Sequence, residues 1–280
     1  TDQTFRNDDT LIFFEGLNVW NRALTLTGTG QTEIPGNLMS DGGGTVVKNG
    51  TGTLLLSDSN NFSGKMEFNR GLTVTDATFP SSAGVSKFSL TTDGTLQITG
   101  GSLPGLLGDG GTLRLDAPAA STGNVKLTNT VVLWDLTASP GRTVDGTITL
   151  SGAILQLTNS AGALPAQNCF TNLLVTGGSA TSGTYAGLPE NSIVTYGSNQ
   201  FFIHYTGGSG NDLVLELIPP VTTYTWDGGG ADNYWLNRTN WAGNQTIGIN
   251  ANLVFPSGAV RTVNTNGVTP VFTLYNRLEL

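Results

Sequence analysis

The sequence predicts an all-β protein built as a parallel β-solenoid, also called a parallel β-helix. Three observations predict this fold class. The 280 residues include 39 glycines spread among short apolar runs, which is typical of many tight turns between many strands. A short motif of glycine, threonine and alternating apolar residues recurs along the chain. No stretch longer than two turns has the periodicity and the capping residues of an α-helix.

The recurring motif is a glycine and a threonine followed by an apolar residue, any residue and a second apolar residue. Its starting glycines lie 42, 17 and 35 residues apart, at Gly52, Gly94, Gly111 and Gly146. These spacings are close to one or two coils of about twenty residues. Alternation along each copy places residues such as Leu54 and Leu56 on one face of a strand. Such short strands need stacked copies to bury that face.

The remaining strands follow in chain order. Residues 1–45 predict irregular early coils with apolar runs at 10–14 and 23–26, ended by a Gly42-Gly43-Gly44 turn. Further strands are predicted at 124–127, 131–136 and 153–157. Prolines fall between these runs, where the missing N–H group does not interrupt strand pairing.

One stretch carries a resemblance to a known family. From Lys48 to Val74 the sequence contains a glycine turn, an apolar strand, an Asn-rich corner, a second strand, another glycine turn and a third strand. This stretch resembles the autotransporter-associated β-strand repeat. The resemblance implies a parallel β-solenoid on a bacterial cell surface. The matching residues are Lys48, Gly50, Gly52, Thr53, Leu54, Leu56, Ser57, Asn60, Phe62, Ser63, Gly64, Gly71, Leu72 and Val74.

The same resemblance divides the chain. Residues 183–217 resemble the three-strand element that closes a run of these repeats, so the repeats occupy residues 1–217. Residues 218–223 contain Pro219 and Pro220 and predict a stiff linker. Residues 224–280 resemble the Trp-rich element that opens a further block.

Three tryptophans of this last segment are predicted to clamp the junction between blocks. They are Trp226, Trp235 and Trp241. The end of a solenoid needs bulky cover, which large aromatic rings provide. The alternative is a platform on which sugar rings stack.

The two ends of the sequence predict self-assembly. Leu274, Leu278 and Leu280 lie in a strand-like run that continues to the last position. Phe5, Leu11 and Phe13 lie in apolar runs near the first position. If the first residues followed the last, these runs would continue the block of repeats that the 224–280 segment opens. We therefore expect residues 1–45 of one unit to complete the 224–280 segment of another. The units are either covalently in tandem or separate molecules. A heterologous contact that does not close produces a fibre.

The expected function is therefore that of an extracellular bacterial structural protein, the head-to-tail subunit of a surface filament. The alternatives are a monomeric autotransporter passenger or adhesin and, third, a polysaccharide-degrading enzyme on the same fold. A surface polysaccharide is an expected second partner. The formal net charge of −8 argues against nucleic acid, and no run approaches the roughly 18 apolar residues of a membrane helix.

The sequence predicts no enzyme active site, cofactor or metal. His204 is the only histidine and Cys169 the only cysteine, so neither a histidine-based triad nor an internal disulfide is expected. Asp212 lies in a single copy of a calcium-nonapeptide pattern beginning at Gly207. We expect that segment to be a hairpin turn, with calcium as the alternative. The other candidate carboxylates are expected at solvated turns: Asp8, Asp9, Asp109, Asp116, Asp135 and Asp145.

Overall fold

The fold is taken from a computed structural model of the chain. The structure describes residues 2–14, 16–40, 43–79, 87–116, 121–137, 142–164, 169–176, 180–248, 250–262 and 277–279. The chain divides into two compact units, Thr1–Leu217 and Ile218–Leu280. Each unit is presented by itself below.

The first unit is all-β and contains the parallel solenoid. Its strands, in chain order, are β1 (Gln3–Arg6), β2 (Thr10–Ile12), β3 (Leu17–Asn18), β4 (Ala23–Thr27), β5 (Gln31–Ile34), β6 (Leu38–Met39), β7 (Thr45–Lys48), β8 (Thr53–Leu56), β9 (Lys65–Thr75), β10 (Lys87–Ile98), β11 (Leu106–Leu115), β12 (Ser121–Thr122), β13 (Val125–Thr128), β14 (Val131–Asp135), β15 (Arg142–Val144), β16 (Ile148–Ser151), β17 (Ile154–Thr158), β18 (Cys169–Val175), β19 (Ile193–Tyr196), β20 (Asn199–Gly207) and β21 (Asp212–Ile218).

The second unit has three strands and one short helical turn among its described residues. The strands are β22 (Thr222–Thr225), β23 (Ala251–Val254) and β24 (Arg277–Glu279), and the 3₁₀ turn is Arg238–Asn240. Across the described part of the whole chain, no helix is long and apolar enough to cross a membrane.

Two ladders of parallel strands form two sides of the solenoid. The first runs β1-β4-β7-β9-β10-β11-β13-β16, and the second runs through β2, β5, β8, the later halves of β9, β10 and β11, then β14 and β17. In the first ladder, paired residues lie between 18 positions apart, as for Phe88 and Leu106, and 23 positions apart, as for Val125 and Ile148. This confirms the predicted coil of about twenty residues.

The core is a set of inward-facing rows that follow the ladders. Consecutive partners in the first ladder are all buried, including Leu24, Val46, Met66 and Phe88. The first three predicted motifs lie in the second ladder, with Leu54, Leu96 and Leu113 fully or almost fully buried. These aliphatic and aromatic side chains stabilise the stack because each rung covers the next.

Two expectations about the coils were wrong. The fourth motif, at Gly146, leads into β16, which belongs to the first ladder and pairs with β13. The 35 residues between Gly111 and Gly146 therefore do not correspond to a whole number of coils. Residues 1–45 are not irregular either, because β1 and β2 stack on β4 and β5 with the register of the later rungs.

An antiparallel cap covers the far end of the solenoid on two of its three sides. Beside the two ladders, a separate sheet forms the third side of the solenoid, and we call it the third-side sheet. Its order is β12-β15-β18-β21-β20-β19, and β18 pairs antiparallel with β21. Ser182 pairs with Thr149 of β16, so the outer edge of that strand is bonded too. The cap buries Phe170 and Phe201, whose rings meet edge-on at 5.6 Å. The region predicted to be a three-strand closing element contains β19, β20 and β21.

Candidate assembly surface

The first rung of the solenoid presents strand edges to solvent. Among the described residues, β1 pairs only with β4, β2 only with β5, and β3 only with β6. The N–H groups of a strand alternate in direction, and Asn7 at the end of β1 donates to the carbonyl of Thr27 in β4. Thr4 and Arg6 therefore direct their N–H groups away from β4. Free strand edges of this kind are templates for another strand.

Apolar side chains on the same rung are exposed. Phe14 is 80% exposed, Trp20 61% and Phe5 40%. Phe5 and Trp20, together with Leu17 and Val19, line a groove of about 330 Å³. Clusters of exposed large apolar side chains on a soluble protein mark contact sites. We call this surface, with the edges of β1, β2 and β3, the open rung.

Of the three residues predicted at this end from the sequence, the structure brings two into contact. Phe5 of β1 and Phe13 just after β2 meet edge-on, with ring centroids 6.0 Å apart. Leu11 lies in β2 and is half-buried. The sequence reasoning missed Phe14 and Trp20, although Phe14 follows Phe13 directly and both belong to apolar, turn-bounded runs. Trp20 has a positive φ of 52°, which places its ring outside the alternation of a strand.

The predicted junction tryptophans form the core of the second unit. Trp226 is 1% exposed and Trp241 is fully buried, and their rings meet edge-on at 5.3 Å. Trp235 is half-buried and packs on Phe255, with centroids 5.3 Å apart. Because two of the three rings have no exposed face, this cluster is unsuited to stacking sugars. Its role at a junction between blocks stays a prediction.

Hydrogen bonds fix this aromatic cluster. The indole N–H of Trp226 donates to the carbonyl of Arg261 at 2.7 Å, and that of Trp241 donates to the carbonyl of Trp235 at 2.7 Å. The buried amide of Asn240 accepts from the Gly230 N–H at 2.8 Å. It also donates to the carbonyl oxygens of residues 232 and 234, each at 3.0 Å. The second unit is thus a specific fold rather than a loose tail.

The second unit also offers a parallel sheet. In the order β22-β23-β24, Leu253 pairs with both Tyr224 and Leu278. Among the described residues, β24 pairs with β23 alone. Leu278 therefore lies in a strand, as predicted, and its role in an assembly contact stays a prediction. Leu274 and Leu280 lie outside the described residues.

The candidate metal and catalytic residues do not form a site. Asp212 is buried and its Oδ1 accepts from the Val175 N–H at 2.8 Å, while residues 208–211 form a turn between β20 and β21. This agrees with the hairpin reading. His204 lies between Glu190 and Glu216, with its two ring nitrogens 2.9 and 3.2 Å from their carboxylate oxygens. Within the described part of the chain, no three His, Cys, Asp or Glu residues are grouped to hold a metal.

The predicted turn carboxylates are scattered, and two of them are less exposed than expected. The side chain of Asp116 is 18% exposed. Asp135 is 6% exposed. Burial by itself raises the pKa of Asp135, but hydrogen bonds from Ser160 and Thr137 outweigh it and hold the pKa below its usual value. Asp135 therefore ties two neighbouring rungs together as a carboxylate. Asp109 and Asp145 are exposed, as expected.

Comparison with known proteins adds no identification. A search with models of protein families finds no match to this chain, and a search of curated proteins finds none either. The resemblance of residues 48–74 to the autotransporter-associated repeat therefore depends on the residue pattern alone. Geometry is the firmer guide to function.

Proposed function

We propose that the protein is a structural subunit that assembles head-to-tail into an extracellular filament on a bacterial surface. The observation that carries the proposal is the open rung, where strand edges and exposed aromatic rings occur together. Strand edges supply backbone hydrogen bonds and aromatic rings supply apolar area, the two components of strand addition. A binding site for a small ligand would need neither the edge nor the breadth of this surface.

The partner is the second unit of another copy. The cap bonds the outer edge of β16 and turns the third-side sheet antiparallel. At the far end of the first unit this leaves only β17, which pairs with β14 alone among the described residues, to continue a parallel stack. The second unit has a new parallel sheet with an edge strand, β24. Placing β1 of one copy against β24 of another continues a parallel ladder. The contact joins two different surfaces, so it repeats without closing.

The energies allow such an assembly. Burying Phe5, Phe14 and Trp20 contributes about 1.5–3 kcal/mol for each side chain that becomes fully buried. Because these side chains are only 40%, 80% and 61% exposed, together this is about 3–5 kcal/mol, and association itself costs an estimated 4–15 kcal/mol. Backbone hydrogen bonds along the new edge add to the favourable side. The net charge of −8 per copy opposes contact, so added salt should strengthen assembly.

The extracellular bacterial setting is supported by the resemblance of residues 48–74 to the autotransporter-associated repeat. A solenoid suits a surface fibre because each rung contacts only its neighbours and the molecule lengthens without a larger core. The proposal includes no enzymatic activity.

Electron microscopy of concentrated protein tests the proposal. We expect filaments with a regular axial repeat, and more of them as salt is raised. The variant Thr4→Pro removes an N–H donor at the free edge of β1 without removing one that faces β4, so it should leave monomers. The matched variant Thr4→Val keeps that N–H group and should still form filaments.

Isolated particles at all protein and salt concentrations would contradict the assembly. They would favour a monomeric passenger or adhesin instead. Filaments that persist in Thr4→Pro would contradict the role of the β1 edge while leaving assembly itself in place.

A further inference from the structure

A second surface feature follows the corner between the two ladders in the first four rungs. It is a groove of about 280 Å³, and it is separate from the open-rung groove. We call it the corner groove. It is lined by Arg6, Asp8, Thr27, Gly28, Thr29, Asn49, Gly50, Thr51 and Arg70.

The corner groove spans several rungs along the solenoid axis. Arg6 pairs with Thr27 of the next rung. Leu26 pairs with Lys48 across the second step. Lys48 pairs with Phe68 across the third, which aligns Asn49 with Asn69 beside Arg70. Adjacent strands are about 4.8 Å apart, so three steps separate the backbones of Arg6 and Arg70 by about 14 Å. The groove therefore has a long dimension that one small anion would not fill.

The floor of the groove is backbone without side chains. A Cβ atom on Gly28 would collide with the backbone of Asn7, and one on Gly50 would collide with the backbone of Gly28. Glycine is required at both positions because the corners of successive rungs stack this closely. The two glycines add no side chain to the lining of the groove.

The walls carry groups that both donate and accept hydrogen bonds. Asn49 is exposed, and its Oδ1 accepts from Asn69 Nδ2 at 2.9 Å. Asn69 Oδ1 in turn accepts from the Thr91 hydroxyl at 3.1 Å. This row fixes the orientation of Asn49, so that its amide nitrogen is directed away from Asn69. The Thr29 hydroxyl donates to Asp8 Oδ1 at 3.4 Å, and Thr51 also lines the groove. Such a set is suited to a ligand rich in hydroxyl groups.

A guanidinium stands at each end of the row. The side chain of Arg6 is 77% exposed and that of Arg70 is 56% exposed. Arg6 Nε donates to Asp8 Oδ2 at 2.8 Å, while Arg70 is 3.4 Å from Asp93, which is not part of the lining. Asp8 is the one carboxylate in the lining. The two guanidiniums are thus each matched by one carboxylate. The further positive charge beside the groove is that of Lys48, whose Nζ donates to the carbonyls of Gly50 and Arg70.

We propose that the corner groove binds an extended anionic polysaccharide, with one sugar carboxylate at Arg6, another at Arg70 and hydroxyl groups at Thr29, Asn49 and Thr51 between them. Guanidinium groups bind carboxylates with directional, charge-assisted hydrogen bonds. The overall negative charge disfavours a nucleic acid, which carries a phosphate at every residue. A polysaccharide whose acidic groups are separated by neutral hydroxyls meets the two guanidiniums at less electrostatic cost.

Calorimetric titration with a linear uronic-acid hexasaccharide tests this site. We expect binding that weakens as salt rises, and binding at least tenfold weaker for a neutral hexasaccharide of the same length. Arg70→Gln should weaken binding several-fold, and the double variant with Arg6→Gln should bring it to the level of the neutral sugar. Both arginines are exposed, so neither change should unfold the protein.

Arg114→Gln is the matched control. Arg114 is 42% exposed and pairs with Asp116 at 3.3 Å in the second ladder, outside the groove. Its loss should leave binding unchanged. The proposal is overturned if the acidic hexasaccharide does not bind, if Arg114→Gln weakens binding as much as Arg70→Gln, or if inorganic sulfate binds as tightly. Arg70 lies away from the open rung, so its result is independent of whether the protein forms filaments.

Discussion

The two ends of the first unit differ in how many of their strand edges the chain itself covers. At the far end the chain turns antiparallel at β21, pairs Ser182 with Thr149 and buries the rings of Phe170 and Phe201. At the first rung, β1, β2 and β3 keep a free edge among the described residues, and Phe14 and Trp20 are largely exposed.

The difference supports the proposal that the first rung is the contact surface. The cap covers the third side and the outer edge of β16 from within the chain, and β17 pairs only with β14 among the described residues. At the first rung, β1, β2 and β3 each have one partner strand among the described residues. Unpaired strand edges are places where another strand can add.

The largest expected difference between the two ends comes from truncating one ring at each. Phe201→Ala in the cap should lower the free energy of unfolding by about 3–5 kcal/mol, because the ring is fully buried. Phe14→Ala in the open rung should change it by no more than about 0.5 kcal/mol in dilute solution. Urea denaturation of both variants measures this. Equal losses would mean that the open rung is packed like the cap.

A second comparison concerns polar groups inside the cap. The hydroxyl of Tyr205 donates to the carbonyl of Leu188 at 2.7 Å and accepts from the Tyr185 N–H at 3.0 Å. Tyr205→Phe leaves both partners unpaired and should cost about 1–3 kcal/mol. The hydroxyl of Tyr185 is buried and has no partner among the described residues. Tyr185→Phe should therefore be neutral or slightly stabilising in the same denaturation experiment.

Between the two ends, Lys48 makes the free energy of unfolding depend on pH. Its side chain is 3% exposed, and burial lowers its pKa from 10.5 to about 8. Below pH 8 the folded and unfolded states both carry the proton, so the unfavourable burial of the charge is fully present. Between pH 8 and 10 the folded state loses that proton first, and the free energy of unfolding should rise by about 1–2 kcal/mol.

Two variants isolate this effect of pH. Lys48→Met should remove the rise between pH 8 and 10, measured by urea denaturation at each pH. Lys65→Met should retain it, since Lys65 is exposed and pairs with Glu67 at 2.7 Å. Above pH 10 the free energy of unfolding should fall with pH instead of rising, because burial raises the pKa of Tyr205 to about 12. A folded-state pKa above the unfolded value means that stability falls as the phenol of the unfolded chain ionises above pH 10.

The smallest expected effect is at two threonines of the core. Thr73 and Thr75 are both fully buried in β9, but only Thr75 uses its hydroxyl oxygen, which accepts from the Ala77 N–H at 3.1 Å. The Thr73 hydroxyl has no partner among the described residues. Thr73→Val should raise the free energy of unfolding by about 1 kcal/mol, and Thr75→Val should lower it. A loss in both variants would show that the Thr73 hydroxyl is hydrated.

The repeat pattern predicted the parallel ladders, but it did not predict for every strand which side chains point inward. Leu54 and Leu56 point inward as their alternation predicts. In the next rung, however, Thr73 and Thr75 point inward in place of the apolar residues beside them. The reason is the length of the corner. Five positions separate Lys48 from Thr53, and only four separate their partners Phe68 and Leu72. One residue fewer turns every later side chain to the other face.

The candidate surfaces were predictable to different degrees. Phe5, Leu11 and Phe13 could be named because apolar runs at the start of the chain are visible in the sequence. The corner groove could not, because Arg6 and Arg70 are brought together only by the register of four rungs. Sequence spacing alone does not reveal which turn residues of successive coils align.

Cross-linking between two differently tagged copies tests the central claim most directly. One copy carries Thr4→Cys in β1 and the other Leu278→Cys in β24, with the exposed Cys169 replaced by serine in both. A short thiol cross-linker should join the two different copies far more than it joins two identical ones. Equal yields of all pairs, or no cross-linked product at concentrations that give filaments, would contradict pairing of the open rung with the second unit.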